Sequence, residues 1–139
     1  MITALDHIAI AVPDLDLAIR RFVEDFGLAH IGTEDIDGAK TTTAFFSVPG
    51  SHIELVHPLN GEGPVAKYLE KHPGGLHHIC FRSDNLDEDV ARLRSKGYQF
   101  LSDEPQPGAH GCRVIFIHPK SCDGVLIELN EQQSSTAGE

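Results

Sequence analysis

The chain has 139 residues, a hydrophobic content of 40% and a formal net charge of −10. This length suits one domain with a core of its own. The acidic balance argues against a nucleic-acid partner, because such binding depends on neutralising phosphates with Lys and Arg. No apolar run approaches the ~20 residues of a membrane span, and the first predicted strand begins close to Met1, without a leader. We therefore expect a cytoplasmic protein without a membrane partner.

The first half of the chain is predicted to contain a strand, a helix and three further strands. Apolar residues recur at steps of three and four after Asp14, a good N-cap, and Gly27 follows as a C-cap. β-branched and aromatic runs flank Pro49 and Gly50, which is typical of a hairpin. The predicted elements are a strand at 5–12, a helix at 15–26, a strand at 28–33, an exposed loop at 34–40, and strands at 41–48 and 52–57.

The second half follows the same order after a linking segment. Pro64 suits the first turn of a short helix at 64–71, and Asn85 is a plausible cap for the next helix. The predicted elements are a strand at 76–81, a helix at 86–96, a strand at 98–101, a Pro/Gly loop at 102–111, and hairpin strands at 113–118 and 124–130.

An internal repeat underlies this similarity. The segment 5–10 (LDHIAI) matches 76–81 (LHHICF), which places His7 on His78, and the end of each half places Glu54 on Glu128. The repeat predicts an α+β fold of two tandem βαβββ modules, whose mixed sheets curl to form a metal-binding cleft. We expect one domain over 1–132, with modules at 1–61 and 76–132, a linking helix at 62–75, and a disordered tail at 133–139.

The repeated histidines and glutamates predict a metal site. Alternate residues of a strand share a face, so small neighbours such as Ala9 and Cys80 leave room beside each histidine. His77 should point to the opposite face and is not expected to be an equivalent ligand. Two imidazoles and two carboxylates suit a divalent transition metal such as zinc, cobalt, nickel, manganese or iron, not calcium. The predicted metal ligands are His7, Glu54, His78 and Glu128.

A plainer interpretation stands beside this one. A single histidine on a strand is more often a core or surface residue than a ligand, and a single glutamate near a strand end is usually solvated. The matched positions in the two halves favour the metal site, because independent accidents would not repeat. The remaining histidines are expected at the surface, except that His110, in a Gly-rich loop, is expected to contact the ligand. Three cysteines without a CxxC pair argue against a disulfide framework or a thiolate zinc site.

Several segments resemble a known family. They are 53–59 (IELVHPL), 65–69 (VAKYL), 75–79 (GLHHI), 116–120 (FIHPK) and 124–129 (GVLIEL). They are similar to methylmalonyl-CoA epimerases of the vicinal oxygen chelate (glyoxalase/bleomycin resistance) superfamily, and the resemblance runs from Leu5 to Leu129. It implies the two-module fold, one divalent ion (cobalt, manganese, nickel or zinc), an acyl-CoA substrate and a homodimer.

The resemblance also implies a reaction, in which an α-proton is removed and returned while the metal stabilises the enolate. Glu128 matches the family residue with both metal and base roles. Some relatives carry a second glutamate at the position of Thr43, and some carry glutamine at the position of Glu54. We therefore expect Glu54 or a metal-bound water to serve the other face of the enolate. The residues expected to contact substrate are Thr43, Lys67, Lys71, His110, Arg113 and Lys120.

Three other functions are compatible with parts of this pattern. A His/Glu/His/Glu ligand set is also that of glyoxalase I, a lyase acting on a glutathione hemithioacetal. An iron extradiol dioxygenase would need two histidines, one carboxylate and open coordination positions. A metal-free binding module would have no need of four ligands. Metal content distinguishes the binding module, and activity on methylmalonyl-CoA or on methylglyoxal with glutathione distinguishes the first two enzymes.

Overall fold

The structure is a computed structural model that describes residues 1–133. Its strands are β1 (Ile2–Ala11), β2 (Ala29–Ile36), β3 (Thr41–Val48), β4 (Ser51–Pro58), β5 (Gly75–Ser83), β6 (Gln106–Pro107), β7 (Arg113–Ile117) and β8 (Ile127–Glu131). Its helices are α1 (Leu15–Arg20), α2 (Pro64–Lys71) and α3 (Leu86–Ser95). Among the described residues, no helix is long and apolar enough to cross a membrane. Almost all of the segment predicted as a disordered tail, from residue 134 onward, lies outside the described residues.

The chain divides into two compact units. The first unit is Asp6–Ile79, and the second comprises Met1–Leu5 and the chain from Cys80 onward. In the first unit the strands neighbour one another in the order β2-β3-β4-β1-β5, and in the second in the order β1-β5-β8-β7-β6. β1 and β4 are parallel, whereas β3 is antiparallel to both β2 and β4. The α+β prediction with a mixed sheet and two βαβββ modules is confirmed.

Local signals placed several elements correctly. The predicted helix at 15–26 is α1 followed by a π-helical turn, Arg21–Asp25. The Asp14 side chain accepts a hydrogen bond from the Leu17 amide at 3.0 Å, and Gly27 adopts φ +72°. The helix at 64–71 and the strand at 41–48 have the predicted bounds.

Two predictions about edge segments were wrong. Residues 34–40 were predicted as a loop, but residues 33–36 are the end of β2 and pair with β3. A 3-10 turn follows at Asp37–Ala39. The predicted strand at 98–101 makes a single bridge, from Phe100 to Ile117. The strand of that module that pairs with β7 at the sheet edge is instead β6, which lies inside the predicted Pro/Gly loop. An edge strand can contain Pro107, because a residue at the edge need not donate a backbone N–H to a further strand.

The two faces of the first unit's sheet carry different helices. On one face, the core cluster of Val12, Ala44, Phe46 and Leu55 packs against Ala18 of α1. The other face carries Ala9, Ala11 and Val56, which pack against Val65, Tyr68 and Leu69 of α2. Alternation along β4 places Leu55 and Val56 on opposite faces. The face that contacts α2 is therefore also the face of His7 and Glu54.

In the second unit, α3 covers β7 and β8. The buried residues Leu86 and Val90 of α3 pack against Ile115, Ile117 and Leu129. The side chain of Asn85 caps α3 by accepting a hydrogen bond from the Glu88 amide at 3.2 Å.

Removing the N-cap of α1 should destabilise the protein measurably. Asp14→Ala leaves one amide of the first turn without its acceptor, so we expect the free energy of unfolding to fall by about 1 kcal/mol. Asp14→Asn retains a capping oxygen and should stay close to the parent. Urea unfolding followed by circular dichroism measures both variants, and equal stability of the alanine and asparagine variants would contradict a capping role.

Candidate metal centre

Two buried histidines of the first unit face each other. His7 lies on β1 and His78 on β5, and their Nε2 atoms are 3.3 Å apart. The two rings cross edge to face at 76°. Small buried residues share the faces of the two histidines, Ala9 with His7 and Cys80 with His78.

The spacing of these nitrogens fits a shared metal ion. Two nitrogens at about 2.1 Å from one zinc-like ion, at angles between octahedral and tetrahedral values, lie about 3.0–3.4 Å apart. The observed separation of 3.3 Å is within this range. Imidazole nitrogens are also the donors that divalent transition metals accept readily. The pair therefore has the geometry and the chemistry to hold such an ion.

Asp6 orients the first of these rings. One carboxylate oxygen of Asp6, Oδ2, lies 2.8 Å from His7 Nδ1. A neutral imidazole carries one proton, so when Nδ1–H donates to Asp6, the Nε2 lone pair faces His78. A carboxylate behind a histidine in this way fixes its tautomer and raises its basicity as a ligand.

His77 does the same for the second ring. The Nδ1 atoms of His77 and His78 are 2.8 Å apart, so the Nδ1–H of His78 can donate to His77 and leave its own Nε2 lone pair exposed. The edge of the Tyr68 ring packs against His77, with centroids 5.2 Å apart. Tyr68 is itself held by its hydroxyl, which donates to the Leu76 carbonyl at 3.0 Å.

Sequence reasoning missed both supporting residues. It assigned His77 to the opposite face of the strand and gave Asp6 no role. The sequence repeat nevertheless pointed to these two residues, because the alignment of His7 with His78 also aligns Asp6 with His77. The repeat thus extends to the residue that precedes each histidine.

Glu54 contacts the ring of His7 in the first unit. It lies on β4, opposite Ala9 of β1, and its Oε2 is 3.1 Å from His7 Nδ1. Its carboxylate therefore lies beside that of Asp6, at the Nδ1 edge of the ring. The role of Glu54 as a metal ligand stays a prediction.

The fourth predicted ligand belongs to the second unit. Glu128 lies on β8, opposite Phe116 of β7, and is buried. A buried carboxylate needs compensating partners, which is consistent with the predicted role. Its participation in the metal site stays a prediction.

The predicted substrate contacts lie in different local environments. Lys67 and Lys71 are exposed on α2, and Lys120 is exposed in the turn before β8. His110 is exposed and adopts φ +56° in the turn before β7, an uncommon conformation for a residue with a side chain. Thr43 is only 1% exposed, on β3.

Arg113 is already paired. Its guanidinium contacts Asp87 at 2.8 Å and Glu131 at 3.2 Å. The hydrogen bond from Arg113 lowers the pKa of Asp87, and the same bond raises the pKa of Arg113. Two carboxylates thus neutralise a charge that the sequence analysis assigned to substrate phosphates, and that assignment stays a prediction.

Comparisons with known proteins agree with this fold. The model of the Glyoxalase/Bleomycin resistance protein/Dioxygenase superfamily matches residues 6–116. An ethylmalonyl-CoA/methylmalonyl-CoA epimerase of Cereibacter sphaeroides is 41% identical, over 94% of this chain and 99% of its own length. The crystal structure of the methylmalonyl-CoA epimerase of Mycobacterium tuberculosis superposes with a TM-score of 0.93 at 36% identity, covering 99% of this chain and 93% of that one.

A further solved structure contains ligands. It is a methylmalonyl-CoA epimerase in complex with methylmalonyl-CoA and NH4+, with a TM-score of 0.92, 34% identity, and coverage of 96% of this chain and 97% of that one. Both the matched family model and the extent of these similarities agree with the resemblance read from the sequence. The chain belongs to the glyoxalase/bleomycin resistance protein/dioxygenase superfamily.

Proposed function

We propose that this protein is a metal-dependent epimerase that interconverts (R)- and (S)-methylmalonyl-CoA. The observation that carries the proposal is similarity to methylmalonyl-CoA epimerases over nearly the whole chain. One of the similar structures contains methylmalonyl-CoA itself. The facing imidazoles of His7 and His78 support the metal-dependent part of the proposal.

The proposed ligand set is His7, Glu54, His78 and Glu128, holding one cobalt, manganese, nickel or zinc ion. The mixture of nitrogen and oxygen donors supports this group of metals. When bound, such an ion supplies Lewis acidity, which stabilises negative charge on oxygens of the substrate. Asp6 and His77 keep the two Nε2 lone pairs available to the ion by accepting the Nδ1 protons.

Glu128 is the proposed principal base. The reaction removes the proton from the substrate carbon between the thioester and the carboxylate. A glutamate side chain placed beside this carbon can accept that proton. Glu54 has a different surrounding, because its carboxylate contacts the ring of His7 at 3.1 Å. Glu54 is proposed both to hold the ion and to carry the proton on the other face of the substrate carbon.

The remaining chain residues bind and position the substrate. Lys67, Lys71 and Lys120 are exposed ammonium groups that can meet CoA phosphates as point charges. The ion pairs of Arg113 with Asp87 and Glu131 favour a structural role for this arginine, which joins β7 to α3 and β8. Thr43 and His110 remain proposed contacts of the acyl group, and a homodimer remains the expected assembly, to be measured by light scattering.

The proposal is tested against its main rival by substrate. The purified protein should epimerise methylmalonyl-CoA and exchange its α-proton with deuterium from D2O, as followed by NMR. A glyoxalase I would instead consume methylglyoxal with glutathione. Turnover of the hemithioacetal without epimerisation would overturn the proposed function.

Replacing the principal base should separate catalysis from metal binding. Glu128→Gln keeps an amide oxygen that can ligate but cannot accept a proton, so we expect kcat to fall by about 10²–10⁴-fold while metal content stays near that of the parent. Steady-state kinetics and elemental analysis measure the two quantities. Near-normal turnover in this variant would send the search for the base to another residue, with His110 the next to test.

The hydrogen bond behind His78 should affect metal affinity. His77→Phe keeps a ring against Tyr68 but removes the acceptor, and loss of such a partner typically weakens metal binding about 10–100-fold. His77→Asn keeps an acceptor near the position of Nδ1 and should remain close to the parent. Cobalt titration, followed by the visible absorption of the bound ion, gives both affinities. Equal affinities for the phenylalanine and asparagine variants would show that His77 does not support the ligand.

A further inference from the structure

A buried side-chain oxygen in the second unit lacks a hydrogen-bond partner. Asn130 lies on β8 and is only 4% exposed, and none of the described residues donates a hydrogen bond to its Oδ1. Buried polar atoms in folded proteins almost always have a partner, and each exception requires an explanation. A purely structural asparagine would be satisfied by the groups around it.

Asp89 of α3 shows how the same unit satisfies a buried polar side chain. Its carboxylate is 1% exposed, and its Oδ1 forms an ion pair with Arg92 at 2.8 Å. The Ser83 hydroxyl donates to the other oxygen, Oδ2, at 2.5 Å. The fold therefore supplies compensating partners where a buried group has a structural role, and it does not do so for the oxygen of Asn130.

The neighbours of Asn130 in the sheet have no donor for it. Val114 of β7 lies directly opposite Asn130, and its side chain contains no polar atom. Gln106 of β6 lies opposite Val114, but its Nε2 donates to a backbone carbonyl of its own loop at 3.0 Å. On the other side of β8 lies β5, where the Arg82 guanidinium donates to Gln132 at 3.0 Å. The Asn130 oxygen is thus available to a donor from outside the chain.

Asn130 shares a face of β8 with the proposed base, Glu128. Alternate residues of a strand point to the same side, and the residue between these two, Leu129, packs on the other side against α3. Both Glu128 and Asn130 are buried. Residues two apart on a strand have Cα atoms about 6.6–6.8 Å apart, so Asn130 is the next side chain along this face.

A CoA thioester has a hydrogen-bond donor at a matching distance from its reacting carbon. The methylmalonyl group offers only acceptors, which are the thioester oxygen and the carboxylate. The first donor beyond the sulfur is an amide N–H of the pantetheine arm. Five bonds separate this nitrogen from the carbon that loses its proton, and they span about 6 Å when extended. With that carbon beside Glu128, the amide N–H reaches the position of Asn130.

We propose that Asn130 binds the pantetheine arm by accepting a hydrogen bond from the amide N–H nearest the sulfur. This inference rests on the proposed function and adds a substrate-binding residue to it. The contact is made by a part of the substrate that does not react, so its strength is the same before and during proton transfer. Such uniform binding lowers KM and leaves kcat unchanged.

The first test compares two small thioesters of methylmalonic acid. The N-acetylcysteamine thioester contains the amide nearest the sulfur, and its ketone analogue has a methylene in place of the N–H group. One net hydrogen bond corresponds to a factor of about five, so the kcat/KM of the parent protein should be about fivefold higher for the amide. In Asn130→Leu the two values should be equal, because the acceptor is gone.

A second measurement separates substrate binding from a structural role. Asn130→Leu replaces an unpartnered oxygen with apolar surface of similar volume, so its Tm should equal or exceed that of the parent. Its KM for methylmalonyl-CoA should rise about fivefold at an unchanged kcat.

Asn85 provides the matched control, because its amide is satisfied within the fold. It accepts a hydrogen bond from the Glu88 amide at 3.2 Å and donates one to the Glu88 carboxylate at 3.0 Å. Asn85→Leu should therefore lower Tm and leave KM unchanged, which is the reverse of the result expected for Asn130→Leu.

Two results would overturn the inference. One is equal kcat/KM of the parent for the amide and ketone thioesters, a comparison that needs no variant. The other is a lower Tm of Asn130→Leu with an unchanged KM, which would make Asn130 a structural residue. A parent protein that epimerises neither these thioesters nor methylmalonyl-CoA would instead refute the proposed function, so the two failures are distinguished.

Discussion

The candidate site depends on two imidazole nitrogens that face each other at 3.3 Å, each with its ring held from behind. The rings are kept in this arrangement by Asp6 at one Nδ1 and His77 at the other. Without these acceptors, either ring could place its proton on Nε2, and the pair would then present a donor where a metal needs a lone pair. The supporting contacts therefore decide whether the two rings present lone pairs to each other.

The two supports differ, although the segments that supply them are repeats of each other. A carboxylate oxygen lies behind His7, whereas a second imidazole nitrogen lies behind His78. The imidazole behind His78 in turn contacts Tyr68, and Tyr68 belongs to the cluster that packs α2 against β1 and β4. The linking helix thus both covers part of the sheet and contacts the residue behind His78. The two copies of the repeat thus place different residues, Asp6 and His77, behind their matching histidines.

The sequence was sufficient for the features that depend on local or repeated patterns. Asp14 and Asn85 marked helix starts because a cap is a local interaction, and the repeated histidine identified the two rings that face each other, His7 and His78. Features that depend on tertiary pairing were missed. Residues 33–36 contain acidic residues and were predicted as a loop, yet pairing with β3 makes them a strand. Tyr98 and Phe100 resemble a strand, but pack against the core of the second unit with only one bridge.

The misassignment of β2 matters because it concealed which way the side chains of that segment face. In a loop, the direction of Glu34 would be undetermined, and its charge would be one more solvated acid on an acidic protein. As a strand residue it has a defined face, set by the same register that pairs Asp35 with Thr42 on the other side. Directly opposed positions share a face and lie about 5 Å apart, which is comparable to the length of a glutamate side chain. The register of a sheet therefore defines the direction of a side chain that the sequence alone leaves open.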